Sequence, residues 1–259
     1  MDLNLKNKVA VITGGSRGIG RATALRFAEE GCNIAICARG QEGLDKTLDG
    51  LREHNVQVFG QTADVSKPGD TERFIQAAAE VLGSIDCLVN NVGGTAGSRE
   101  FATSDDAAWH ETFDLNIFHA VRATRSALPH LKKDNGGSVV TISSISGWKP
   151  ADSGAQYGAA KAAEMFLAGA LAWELAPDKI RVNTVCPGSL FFPGGGWERF
   201  KEANPEKYEN FRTREFPAQR LGTDFEVADV VVFLSSDRAN WINGASISVD
   251  GAQGRPNAF

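Results

Sequence analysis

The chain has 259 residues, 42% of them hydrophobic and 23% charged, with a formal net charge of -5. That length suits one large α/β domain with a sizeable core, and the scattered Lys and Arg exclude the basic footprint of a nucleic-acid binder. No apolar run approaches the ~20 residues of a membrane span, which leaves a small molecule as the expected partner.

The opening MDLNLKNKVAVITGG lacks the apolar stretch and the small-residue cleavage site of a signal peptide, so a cytoplasmic location is expected. Cys32, Cys37, Cys87 and Cys186 form no CxxC pair, and His54, His110, His119 and His130 show no metal-ligand spacing. Cys37 and Cys186 fall within apolar runs, where buried free thiols are common.

In chain order, Val9 to Thr13 is a short apolar strand ending in glycines, followed by a helix from Ile19 to Glu29. Asn33 to Ala38 is the second strand, Gly43 to His54 a polar helix, and Val56 to Thr62 the third strand. A helix from Thr71 to Leu82 starts after Pro68 and stops at Gly83, and Ile85 to Asn90 is the fourth strand. A long helix is expected over Asp105 to Lys133, bent by Pro129, which cannot donate to the helix ladder. Gly137 to Ser143, Ala155 to Leu175, Ile180 to Cys186, Phe225 to Ser235 and Ala245 to Val249 read as strand, helix, strand, helix and strand.

Near-continuous Val, Ile and Ala runs are the mark of parallel strands covered by helices on both faces. The alternation predicts a doubly wound α/β fold with a predominantly parallel seven-stranded sheet, and no linker or repeat divides it. Residues 188–222 stand apart. They hold Pro193, Gly194, Gly195, Gly196, Pro205 and Pro217 among seven aromatic residues, including Phe191, Trp197 and Phe211. A long irregular segment inside a compact domain is usually functional, so a substrate-covering segment with short helices is expected. An ordinary packed excursion or a subunit contact is the alternative.

Thr13-Gly14-Gly15-Ser16-Arg17-Gly18-Ile19-Gly20 joins the first strand to the first helix. A pyrophosphate placed there would meet free helix N–H groups and the positive end of the dipole. The Gly-x3-Gly-x-Gly spacing differs from the common GxGxxG turn, but its place between strand and helix favours a phosphate cradle over a bare turn. With Asn90-Asn91-Val92-Gly93 after strand four, Ser144 after strand five, Tyr157-x3-Lys161 and Pro187-Gly188 after strand six, the chain resembles the short-chain dehydrogenase/reductase family along nearly its whole length.

The resemblance implies a Rossmann-type sheet, a nicotinamide cofactor and a CH-OH substrate. Gly14, Ser16, Arg17, Gly18, Ile19, Asn91, Gly93, Pro187, Gly188 and Leu190 are then expected around the cofactor. Asp64 is expected at the adenine amino group, with Val65 against the ring. Two positions depart from the family pattern. Val92 stands where alanine is usual, with only a local packing change expected. Phe192 stands where a threonine often bonds the nicotinamide carboxamide, and it offers no hydroxyl for that bond.

A carboxylate at the end of the second strand would bond the ribose 2'-hydroxyl of NAD and repel a 2'-phosphate. Ala38 occupies that position, Arg39 follows it and Arg17 lies in the glycine turn. Guanidinium groups offer fork-shaped, charge-assisted bonds to a phosphate. NADP is therefore expected ahead of NAD.

Tyr157 and Lys161 are four apart on a predicted helix and project from one face. A free phenol has a pKa of about 10, so using one as a base at pH 7 costs about 4 kcal/mol. A neighbouring positive charge lowers an acid's pKa by about 1–3 units. Lys161 supplies one such charge and the oxidised nicotinamide a second, which favours general acid/base work by Tyr157. By resemblance, Ser144 bonds the substrate oxygen in preference to Ser143, Lys161 holds the nicotinamide ribose, and Asn116 helps position a water linked to the lysine. A hydrogen-bonding role within the helix remains open for Asn116.

Interconversion of a ketone and a secondary alcohol on a small cyclic or aromatic compound is the leading expectation. One alternative is reduction of 3-oxoacyl groups on an acyl carrier protein, which would dock on basic residues such as Arg122, Arg125 and Lys132. A nucleotide-binding regulator without catalysis is the other, against which intact Ser144, Tyr157 and Lys161 stand. Relatives of this size are commonly tetramers or dimers joined through long helices and the last strand, so a homo-oligomer is implied. The tail from Val249 to Phe259 either reaches a neighbour or frays.

Overall fold

The computed structural model describes residues 1–132 and 136–255. Seven strands, β1 (Val9–Thr13), β2 (Asn33–Ala38), β3 (Val58–Thr62), β4 (Cys87–Asn90), β5 (Gly137–Ile142), β6 (Ile180–Pro187) and β7 (Ser246–Val249), form one sheet in the order β3-β2-β1-β4-β5-β6-β7. Every pairing is parallel. Both faces of the central strands are buried, which explains why their sequences are continuous apolar runs and not alternating ones.

Helices α1 (Gly18–Glu29), α2 (Gln41–Arg52) and α9 (Asp224–Ser235) cover one face. Ala24, Phe27, Leu44, Leu48, Leu51, Val227 and Val231 pack there with Ile12, Ile34, Ile36 and Val140. On the other face, α3 (Asp70–Leu82), α5 (His119–Leu131) and α6 (Ala155–Leu175) bring Phe74, Ile75, Ala123, Ala127, Ala168 and Leu175 against Val9, Val11, Leu88 and Val182. Strand order reverses between β1 and β4, and the crevice outside the carboxyl ends of such strands is where this architecture takes ligands.

The predicted Asp105–Lys133 helix needs correction, and its Lys133 lies outside the described residues. The chain forms α4 (Asp106–Phe113), a π turn over Asp114–Phe118, then α5, so the break precedes Pro129 by several turns. In a regular helix the Thr112 and Leu115 carbonyls would accept from the N–H groups four residues on. Here the Asn116 amide donates to the Thr112 carbonyl at 2.6 Å, and His119 Nδ1 donates to the Leu115 carbonyl at 2.8 Å. Two side chains thus bond helix carbonyls at the widened turn, where the His119 N–H reaches back five residues to the Asp114 carbonyl. Pro129 lies in the last turn of α5 and removes only its own bond to the Arg125 carbonyl.

Residues 188–222 form α7 (Gly196–Ala203) and α8 (Pro205–Glu215), as expected of short helices. Trp197 stacks on Phe211 with centroids 4.2 Å apart and meets Phe200 edge-on at 5.3 Å. Before residue 255 the tail packs against its own chain at Gln253. Gln253 is buried and bonds Ser189 twice, N–H to Oε1 at 2.7 Å and Nε2 to Oγ at 3.1 Å. The rest of the predicted tail, 256–259, lies outside the described residues. No described helix is long and apolar enough to cross a membrane.

Candidate active site

Two connected cavities open at the carboxyl edge of the sheet. The first, about 550 Å³, runs along the ends of β1, β2 and β3 and is lined by Gly14, Ser16, Arg17, Gly18, Ile19, Arg39, Asp64, Val65, Asn91 and Gly93. The second, about 700 Å³, is lined by Ser144, Tyr157, Lys161, Pro187, Gly188 and Leu190. Ile19, Asn91, Gly93, Phe192 and Gly196 border both, so the two are one cleft. Every residue predicted for the site lines it except Asn116, which is buried behind it.

The first cavity fits a dinucleotide. Helix α1 begins at Arg17 with no side-chain cap and has no acidic residue in its first turn, so its leading N–H groups face the cavity free to bond an anion. Gly18 has φ +52, in the left-handed region that favours glycine, and a Cβ there would stand 2.9 Å from Phe192 Cζ. The methyl groups of Val92 press on the same turn, 2.7 Å from where a Gly14 Cβ would be, so the extra bulk at position 92 is absorbed by glycine. Asp64 accepts from Ser66 N at 3.2 Å and Oγ at 2.7 Å. The Ser66 hydroxyl, with weaker help from Lys67 and Arg39, holds the Asp64 carboxyl below the usual range against the opposing effect of partial burial.

Asn91 ties the loop after β4 to the glycine turn. Its Nδ2 donates to the carbonyls of Thr13 at 2.9 Å and Gly14 at 3.1 Å, and its N–H reaches Thr13 Oγ1 at 3.0 Å. Asn116 fastens the next stretch of that loop. Its amide donates to the Gly94 carbonyl at 2.7 Å and accepts from Gly94 N at 3.2 Å.

Tyr157 lies in the first turn of α6, after Gly154, and Lys161 one turn on. The ammonium sits 5.6 Å from the centre of the Tyr157 ring. The two serines separate cleanly. The Ser143 hydroxyl is buried and donates to the Lys161 carbonyl at 2.8 Å, whereas Ser144 Oγ accepts from Ser146 N at 3.1 Å and its O–H has no acceptor among the described residues. Lys161 Nζ donates to the Ile142 carbonyl at 2.8 Å and to both Glu164 oxygens at 3.0 Å.

Three features of the site were missed in the sequence. Arg199 of α7 borders the first cavity, and only the path of the 188–222 segment could have placed it there. Lys149 braces the rim of the second, donating to Glu215 at 2.7 Å and to the Gln253 carbonyl at 2.6 Å. Glu164 had a legible signal. It is an acid three residues past Lys161 on the inward face of a helix.

Residues 8–191 match the short chain dehydrogenase family. The oxidoreductase YvrD of Bacillus subtilis is 34% identical over 97% of this chain and 98% of its own. The structure of L-sorbose reductase from Gluconobacter frateurii, complexed with NADPH and L-sorbose, superposes with a TM-score of 0.92 at 31% identity, covering 99% of this chain and 100% of that one. A 7α-hydroxysteroid dehydrogenase complexed with NADH and a 7-oxo bile acid gives 0.88 at 27% identity, covering 96% and 95%. The glycine turn, the Tyr157–Lys161 turn and this full-length likeness together make the chain an oxidoreductase of the short chain dehydrogenase family.

Proposed function

We propose that this single-domain protein is an NADP(H)-dependent oxidoreductase that interconverts a ketone and a secondary alcohol on a small cyclic or aromatic substrate. The observation that carries it is the convergence of Ser144, Tyr157 and Lys161 on a cleft continuous with the glycine turn. The nicotinamide, when bound, supplies or accepts the hydride. Ser144 bonds the substrate oxygen. Tyr157 gives that oxygen a proton in reduction and takes it back in oxidation, and the Lys161 charge stabilises the phenolate left behind.

Arg17 and Arg39 hold the 2'-phosphate. The NADPH bound by L-sorbose reductase is in keeping with that choice, while the NADH of the steroid enzyme makes it one to test. Asp64 and Val65 take the adenine. Trp197, Phe200 and Phe211 line the second cavity and supply flat apolar walls suited to a ring, making 188–222 the substrate cover. The docking patch needed for a carrier protein is reduced, because Arg122 is drawn to Asp114 at 3.3 Å and Lys132 to Asp178 at 2.8 Å. Four buried free thiols suit a reducing cytoplasm.

A screen of cyclic and aromatic ketones and alcohols with both nicotinamides tests this directly. Tyr157→Phe should lower kcat/KM by about 10²–10⁴-fold, the usual contribution of a general acid/base, with NADPH affinity nearly unchanged by fluorescence titration. Retained turnover in that variant refutes the role given to the phenol.

A further inference from the structure

Lys161 borders the second cavity and Glu164 is buried behind it, with 2% and 1% of their surface exposed. The carboxylate oxygens both lie 3.0 Å from Nζ, and the Ile142 carbonyl at 2.8 Å completes three acceptors for a group with three N–H donors. Gly93 leaves the room this ammonium occupies, since a Cβ there would stand 2.8 Å from Nζ and 2.7 Å from Asn116 Oδ1. An ammonium so placed is cut off from most of the water that would otherwise stabilise its charge.

We propose that Glu164 is a positioning residue for Lys161: its carboxylate, bonded to Nζ through both oxygens, fixes the ammonium beneath Tyr157 and is its buried counter-charge. This rests on the catalytic role given above to Tyr157 and Lys161. Among the described residues, Glu164 is the carboxylate paired with Lys161. The ionisable groups facing the pair are Tyr157 on the same helix, Cys186 on β6 and His119 on α5, with Arg122 beyond. Burial pushes the Cys186 thiol up to about 11 and His119 down to about 3, so both are neutral near pH 7. Burial works against the Lys161 charge too, and the Glu164 carboxylate more than offsets it, leaving the lysine above its ordinary value.

The sign of the pH effect follows. With Glu164→Gln the carboxylate is gone and burial remains, so Lys161 loses its proton at lower pH. Chemistry that needs the ammonium is then lost earlier as pH rises, and the alkaline limb of kcat/KM moves down by at least about one pH unit, at the low end of the ~1–3 units a close charge contributes. Glu164→Asp, which keeps the charge, should restore most of the limb.

The deciding measurement is made on the whole cofactor-free enzyme. The 15Nζ resonance of Lys161, assigned by its loss in Lys161→Met, is followed from pH 6 to pH 11 in wild type and in Glu164→Gln. Titration of the variant at least about one unit below wild type supports the proposal, and titration of both at the same pH overturns it. Should Glu164→Gln not fold, Glu164→Met fills a similar volume and takes its place. The wild type also decides on its own, since a neutral Lys161 amine at pH 8 overturns the proposal and an ammonium there supports it. The nuclear signal does not depend on turnover. Failure of the enzyme on every carbonyl would therefore count against the proposed reaction and leave this result standing.

Discussion

Neither Arg17 nor Arg39 forms an ion pair among the described residues, although both border the cavity beside β2. A guanidinium not bonded to a carboxylate is free to take both oxygens of a phosphate. Arg39→Ala should raise the KM for NADPH about 10–100-fold, the loss of about 1.5–3 kcal/mol expected for one hydrogen bond to a charged group, and should leave the KM for NADH nearly unchanged. His119 carries the second residue-scale consequence. Burial, reinforced by the Lys161 charge, pushes its imidazole down to about 3, and Nδ1 keeps its proton on the Leu115 carbonyl. In the unfolded chain a histidine titrates near 6.5. The stability it contributes is complete above about pH 6.5 and falls as pH drops toward 3, by about 1.4 kcal/mol per pH unit. Urea unfolding at pH 7 and pH 5 should show that slope in wild type, and His119→Gln should lack this share of it.

The π turn between α4 and α5 is the element that most shapes the site. Asn116 sits in the widened turn, bonds the Thr112 carbonyl and ties down Gly94 with the same amide. Asn116→Ala should therefore act as a backbone change as well as a side-chain one. It should cost about 1–3 kcal/mol through the partners left unbonded and weaken cofactor binding through a loosened Gly93–Gly94 loop, read by chemical unfolding and NADPH titration. A variant with full stability and intact binding would contradict that. The elements around this turn show what a sequence can reveal. The strands were legible because Val, Ile and Ala runs such as Ile34 to Cys37 have one use in such a chain. Val56 and Ile85 were read into β3 and β4 but precede the first ladder bonds, which composition does not mark. The break at Asp114–Phe118 was illegible. It is marked by a five-residue backbone bond and by side-chain bonds to helix carbonyls, and the apolar pattern carries no sign of either. The site residues were legible as a set because phosphate, ribose and proton transfer each demand a residue type at a strand end. Arg199 and Lys149 were not, since they arrive from segments whose path depends on tertiary packing.

At the scale of the molecule, α6 serves two surroundings at once. Its inner stripe carries Gln156, Lys161 and Glu164, while Phe166 and Trp173 on the helix are 82% and 88% exposed, two turns apart on one side. Large apolar groups grouped on an exposed helix face mark an interaction surface, and we take the occupant to be a second copy of this chain. Light scattering should give a homo-oligomer, dimer or tetramer, and Phe166→Glu with Trp173→Glu should shift it to smaller species; a monomeric wild type would refute the assembly.

Cys32, Cys37, Cys87 and Cys186 are all free and all buried, and burial pushes every one of them up, Cys37 to about 12 and Cys87 to about 11. A thiol reacts as its thiolate, so alkylating or oxidising reagents find nothing to attack while the sheet stays shut. The four sulfurs are thus built-in sentinels. Each modification event records one opening of the interior, and the pace at which label accumulates is a clock for how often the native protein breathes.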